Sequence, residues 1–429
     1  MSTPRDGEFG LPLVPPVGMR DFVYPESAER ADVGRVLLET FARYGYDLVV
    51  TPPFEHQEVI ERAMDDAARA DLLRFVDPQT GDVAVLRADF TPQIARLIAA
   101  HFHDRPGPWR LAYRGTVIRR RRGRARKHRQ VVQAGIECVG VGGPDGDIEA
   151  LNLCTEACVA AGLSNFRVEI NHVSVPRALL AEVPERYRPG AQAALARKDR
   201  AELERNLAGA KVPARTAGAL LELPSLLGGL EVLDAADKLL PKGIATTALH
   251  DVRALVAGAE SAGYADRLLL DLSELRGMSY YTGASFAVLA DGPGEPIAAG
   301  GRYDNLLGRF DVPAPATGFA IDIGNLVWAR SQAGHRADPG LGRARFVVSG
   351  PGAESIAASI RGAGHVAAVH ATPPAANFLR AWGYDAEIAA GAADGSASSN
   401  VTRVDGASRP WKSGDEAAFG ELVRWAKEL

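Results

Sequence analysis

Val83-Ala-Val-Leu-Arg-Ala-Asp89-Phe-Thr91-Pro-Gln-Ile-Ala-Arg96 is the stretch on which the fold turns. Val83 to Leu86 predicts a short strand. Thr91-Pro92 then opens a helix, with Thr as N-cap and Pro at the first helical position. Ile94, Leu97, Ile98 and Phe102 fall on one helical face and predict its buried stripe. At the hand-over a carboxylate and a hydroxyl stand two residues apart. Asp89 as counter-charge and Thr91 as second acceptor suit a ligand ammonium group. The plain alternative is that both cap the helix, and this stretch taken alone favours it.

Upstream, residues 1–17 are rich in Gly and Pro and read as an extended arm. Val33, Leu37, Phe41 and Tyr44 predict one face of a helix over 27–45, and Asp47 to Thr51 predicts a strand ended by Pro52-Pro53. Downstream, strands are expected at 109–113, 116–118 and 131–139, a helix at 148–162 and a strand at 166–173. Residues 176–262 turn rich in Ala, Leu, Arg and Glu and read as a helical insertion. Strand signals return at 266–273, 279–289 and 296–299, followed by a helix at 319–330. Residues 331–343 read as a linker, and 344–429 as a small domain of strand–helix rhythm with a thin, Ala/Gly-rich core. This order favours an α+β domain over 18–330, built on a largely antiparallel sheet flanked by helices.

Composition narrows the function. The chain has 429 residues, 46% hydrophobic and 24% charged, with a net charge of −4. That excludes a globally basic nucleic-acid coat. Three Cys give no disulfide framework. Cys154 and Cys158 lie four apart on an expected helix and read as core residues, and the nine His show no metal-ligand spacing. No apolar run reaches 18 residues and no basic-then-apolar leader opens the chain, so a cytoplasmic protein without a membrane span is expected. Glycine-rich phosphate fingerprints and a Gly-x-Ser-x-Gly elbow are missing. No cofactor and no metal are implied.

Four further constellations stand out. Arg119 to Arg129 carries eight Lys or Arg in eleven residues between two strands, a charged hairpin tip for phosphates or an acidic partner, or else a solvated loop. It holds no aromatic residue for base stacking. In Gln133-Ala-Gly-Ile-Glu137, positions 133, 135 and 137 share a strand face. The two polar groups would then wall a pocket floored by Gly135 backbone, unless that face is simply half-exposed. Arg276-Gly-Met-Ser-Tyr280-Tyr281 suggests recognition of a carboxylate together with a flat or polar group. In Ala299-Gly-Gly-Arg-Tyr-Asp304, two glycines in a strand would let a ligand approach the backbone.

Taken together, Gly18-Met-Arg-Asp21, Thr51-Pro-Pro-Phe-Glu55, Leu86 to Thr91, Arg110-Leu-Ala-Tyr113, Arg119 to Glu137, Arg276 to Tyr281 and Gly300 to Asp304 resemble the catalytic domain of histidyl-tRNA synthetase, a class II synthetase fold. The resemblance implies a histidine pocket. Asp89, Thr91 and Gln133 match positions holding the α-ammonium. Glu137 and Tyr281 match positions facing the imidazole, and Arg276 and Arg119 those meeting the carboxylate. The ATP half departs from the pattern. Arg121 stands where the second class II motif has its carboxylate, Val131 where a Phe stacks on adenine, and Asn325 where the third motif ends in Arg. A neutral amide cannot supply that charge to a triphosphate.

This combination is similar to the ATP phosphoribosyltransferase regulatory subunit family, as are Asp89 to Arg96, Asp271 to Gly277 and Leu223 to Gly229. That resemblance implies no catalytic residues of its own. It implies a short-form ATP phosphoribosyltransferase catalytic subunit as partner, L-histidine as effector, and a homodimer within a hetero-oligomer. Arg121, Arg122, Arg124 and Arg126 are candidates for partner contact. No nucleic acid is expected. The alternatives are a histidyl-tRNA synthetase with atypical ATP-site motifs and a stand-alone histidine-binding module.

Overall fold

The structure, a computed structural model, describes residues 13–102, 104–119, 128–275, 280–335, 342–375, 377–391, 399–412 and 416–428. They group into two compact units. One joins the stretch ending at Asp21 to Val33–His335, and the other joins Phe22–Asp32 to the stretch beginning at Arg336.

In the larger unit the strands are, in chain order, β1 (Asp47–Leu48), β2 (Phe54–His56), β3 (Arg74–Val76), β4 (Val83–Leu86), β5 (Trp109–Ile118), β6 (Gln130–Val139), β7 (Arg167–His172), β8 (Leu227–Gly228), β9 (Leu268–Asp271), β10 (Ala284–Leu289), β11 (Ala298–Arg302) and β12 (Ala316–Asp322). Nine of them form one sheet in the order β1-β5-β6-β12-β11-β10-β7-β9-β8, and β2-β4-β3 form a small second sheet. Within the large sheet, β1 on β5 and β7 on β9 pair parallel, and the other neighbours pair antiparallel. This is the mixed, largely antiparallel sheet that the element order favoured.

Helices cover this sheet. Val33, Leu37 and Phe41 of Glu26–Arg43 are buried in the same apolar cluster as the helix Asp145–Ala160 and the helices of the 176–262 region. All three cysteines are enclosed: Cys138 on β6, and Cys154 and Cys158 on Asp145–Ala160.

Several local readings need correction. Residues 319–322 are not the start of a helix but the end of β12, and the helix runs Ile323–Gln332. The reason is at Asp322, whose carboxylate accepts the N–H groups of Gly324 and Asn325 at 2.8 and 3.1 Å. That cap sets the start. Nor is Thr91 an N-cap: it is the first residue of Thr91–His101, and no side-chain cap bond forms there. The expected strands 109–113 and 116–118 are one continuous ten-residue strand. The strand expected over 47–51 is only two residues long.

The smaller unit has a five-stranded sheet. Its strands are β13 (Arg345–Ser349), β14 (Val366–His370), β15 (Ala386–Ala389), β16 (Ser399–Arg403) and β17 (Ser408–Trp411), ordered β14-β13-β15-β16-β17. The first three pair parallel and the last two antiparallel. Phe346, Ile360, Ile388, Trp411 and Leu422 are buried together in its core.

Candidate functional site

The site is a cavity of about 400 Å³ over the face of β6, β12 and β11. Register explains why it forms there. Glu137 lies opposite Gly318 and Gln133 opposite Asp322 on β12, while Leu111 and Gly115 of β5 flank them on the other side. Alternate residues of a strand share a face, so Gln133, Gly135 and Glu137 project together.

Of the residues singled out in the sequence, Asp89, Thr91, Arg119, Gln133, Glu137 and Tyr281 all border this cavity. Arg276 lies outside the described residues, as do Arg121, Arg122, Arg124 and Arg126. Tyr113, Tyr280, Tyr303, Glu295 and Asp322 also border the cavity, and none of them was given a role in the pocket from the sequence. The doubled tyrosine and the Arg-Tyr-Asp string marked Tyr280 and Tyr303 as unusual, but the residues alone gave no reason to turn either ring inward.

A chain of hydroxyls joins the two inner carboxyl groups. Thr91 Oγ1 donates to Glu137 Oε1 at 2.6 Å, and the Tyr303 hydroxyl donates to Glu137 Oε2. Tyr280 donates to Asp89 Oδ2 at 3.0 Å and lies 3.4 Å from Thr91 Oγ1. The threonine hydroxyl is therefore committed to Glu137 rather than to a helix cap. Burial pushes the Glu137 carboxyl up to about 8, and the Asp89 charge adds to the rise, while the Thr91 and Tyr303 hydroxyls pull the other way. Burial also raises Tyr113, Tyr280, Tyr281 and Tyr303 above the ordinary phenol range. These phenols stay protonated, and those of Tyr113, Tyr280 and Tyr303 act as donors.

Each group is held from behind. Arg302 Nε donates to both Asp147 oxygens at 3.0 and 2.8 Å, a buried ion pair at the end of β11. Next to it, the Tyr303 N–H donates to the Ala316 carbonyl at 2.7 Å. The Arg87 guanidinium lies 3.9 Å from the centre of the Phe90 ring, which stacks on Tyr113 at 4.2 Å. Gly115 leaves room for that stack, since a Cβ there would meet Arg87 at 2.7 Å and Phe90 at 2.9 Å. Tyr113 in turn donates to the Phe319 carbonyl at 3.3 Å. It lies over Gly135, where a Cβ would meet its oxygen at 2.5 Å. The floor at Gly135 is thus roofed by a tyrosine, a correction to the open backbone floor expected there.

Arg119 Nε donates to the Ala88 carbonyl at 2.7 Å, tying the end of β5 to the Asp89 segment. At the other end, the Asn325 amide donates to the carbonyl of cavity-lining Pro296 at 3.1 Å. Val131 is buried in an apolar cluster. Neither side chain borders the cavity. Chemically, the arrangement offers Asp89 and Glu137 linked by hydroxyls, two further acids at Glu295 and Asp322, and one guanidinium among the described residues. It suits a small ligand that carries an ammonium and a second basic or N–H group.

Comparison with known proteins gives the family. The profile of the histidyl-tRNA synthetase family matches residues 18–326. An ATP phosphoribosyltransferase regulatory subunit of Anaeromyxobacter dehalogenans is 41% identical over 317 residues, covering 73% of this chain and 90% of that protein. One from Syntrophotalea carbinolica is 32% identical over 358 residues, 82% of this chain and 84% of that protein. Among solved structures, an ATP phosphoribosyltransferase regulatory subunit/histidyl-tRNA synthetase from Bacillus halodurans superposes with a TM-score of 0.76 at 30% identity, over 88% of this chain and 98% of that one. Histidyl-tRNA synthetase of Nostoc shares the fold, with a TM-score of 0.77 at 20% identity over 97% and 99% of the two chains. The chain belongs to the ATP phosphoribosyltransferase regulatory subunits, a family built on the histidyl-tRNA synthetase fold.

Proposed function

We propose that this protein is the non-catalytic regulatory partner of a short-form ATP phosphoribosyltransferase catalytic subunit. It activates that subunit in the first step of histidine biosynthesis and passes on feedback inhibition by L-histidine. Family membership supports the regulatory role. The observation that carries the effector is the cavity itself, where Asp89, Thr91, Tyr280, Glu137 and Tyr303 form one hydroxyl–carboxyl chain.

In this reading Asp89, Thr91 and Gln133 take the ammonium, Glu137 and Tyr281 the imidazole, and Arg119 with Arg276 the carboxylate. Charge-assisted bonds of this kind contribute about 1.5–3 kcal/mol each. Histidine then inhibits by binding one state of the complex better than the other, since only differential affinity moves the equilibrium. The assembly is a homodimer within a hetero-oligomer, and Arg121, Arg122, Arg124 and Arg126 contact the partner. Asn325, its amide spent on Pro296, supports the absence of aminoacylation.

The test is ATP phosphoribosyltransferase activity of the purified short catalytic subunit, with and without this protein, across a histidine titration. Activation that histidine reverses is expected. No effect on activity overturns the reading, and a histidine-dependent ATP–pyrophosphate exchange would instead make the chain a synthetase.

A further inference from the structure

Glu137 is a carboxyl group with hydroxyl donors on both oxygens and, among the described residues, no cation as a bonded partner. The titratable groups that line the cavity with it are Asp89 from the turn before Thr91–His101, Tyr113 from β5, Tyr280 and Tyr281, Tyr303 after β11, Arg119 at the end of β5, Glu295 before β11 and Asp322 at the end of β12. The arginine Nε is occupied by Ala88. An enclosed acid so placed, 2% exposed and next to a second acid, holds its proton while the cavity is empty. Two donors aimed at its oxygens are nonetheless the arrangement that a carboxylate needs. The site is thus poised for a proton that leaves when a base arrives.

We infer that Glu137 is a proton donor to its ligand: the cavity takes the imidazole ring neutral and binds it as an imidazolium paired with the Glu137 carboxylate. The inference rests on the histidine reading above. The Glu137 O–H bond breaks and an N–H bond forms on the unprotonated ring nitrogen. No proton enters or leaves the pair. Thr91 and Tyr303 are positioning residues, donating to the carboxylate as it forms. Tyr281 faces the other side of the ring.

The pair must arrive with one proton in total, on Glu137. Affinity is then highest where the acid is protonated and the free ring is not. A free imidazole titrates near pH 6.5 and the Glu137 carboxyl near 8. The optimum therefore lies between them, and affinity falls on both sides.

The experiment is calorimetric titration of the full-length protein with L-histidine from pH 6 to 8.5, alongside Glu137→Gln and Tyr303→Phe. Between pH 7.2 and 8.5 the wild type should lose about threefold to fourfold in affinity. E137Q should lose that alkaline limb, because titrations belonging to histidine itself are common to both proteins. Y303F, lacking one donor to the carboxylate, should bind more weakly and move the limb to higher pH, a shift that a purely structural role does not produce. Wild-type affinity that is flat or rises through pH 8 overturns the inference and leaves the histidine site standing. No histidine binding at any pH overturns both.

Discussion

Gly318 shows how little freedom the site leaves at one residue. A Cβ there would meet Glu137 Oε2 at 2.1 Å and the Ile136 carbonyl at 2.4 Å. Gly318→Ala should therefore displace the Glu137 carboxylate and overpack β6 against β12. The expected cost is about 1–3 kcal/mol in a urea melt, with loss of histidine heat. Asp89→Asn is the complementary probe: it keeps an acceptor for the Thr91 N–H but removes the charge. Histidine affinity should drop by about tenfold or more while the melting temperature stays near wild type. An unchanged affinity would remove Asp89 from the ammonium site. Asp89, Thr91 and Glu137 were legible as residues of unusual chemistry. Their connection through Tyr280 and Tyr303 was not, because those tyrosines sit 191 positions beyond Asp89 and 166 beyond Glu137, and a sequence carries no distance between them.

Among the elements, Arg87 joins three segments. Its guanidinium donates twice to the Thr116 carbonyl, at 3.1 and 2.9 Å, and also to the Thr51 hydroxyl and the Thr51 and Pro52 carbonyls. One side chain thus links the end of β4, the loop after β1 and strand β5. Burial lowers its pKa, and these neutral acceptors and the Phe90 face are what hold the charge inside. Arg87→Lys replaces a planar fork by a single nitrogen and cannot reach the same set. It should cost on the order of 2 kcal/mol, read by chemical denaturation. Arg87 was visible in the sequence only as the residue before Ala88-Asp89. A buried arginine bonded to backbone carbonyls leaves no pattern, because its partners have no side-chain identity. The helix misplaced at 319–330 fails for a related reason: Gly318 to Asp322 is apolar enough for either element, and pairing with β6 and β11 settled it.

At the scale of the whole molecule, the order of strands and helices made the sheet class legible. The pairing order of the nine strands was not, because non-neighbouring segments such as β6 and β12 adjoin only in space. Global stability should carry the signature of Glu137. Its carboxyl is raised to about 8 from an ordinary 4.5, so the folded chain keeps a proton that the unfolded chain has released across that window. Its contribution to stability is full below pH 4.5, declines as pH rises, and levels off above about 8. E137Q should flatten the fall in unfolding free energy between pH 6 and 8, measured by denaturant midpoints at the two pH values.

The three enclosed thiols give the molecule a clock of its own. An alkylating reagent reaches Cys138, Cys154 or Cys158 only when the larger unit opens, so the rate of mass gain under native conditions reports that opening without a label. Cys138 follows Glu137 on β6 and faces the opposite side of the sheet. An effector that grips Glu137 must slow the blocking of Cys138 as it fills the cavity, and occupancy can be followed as protection of a thiol it never touches.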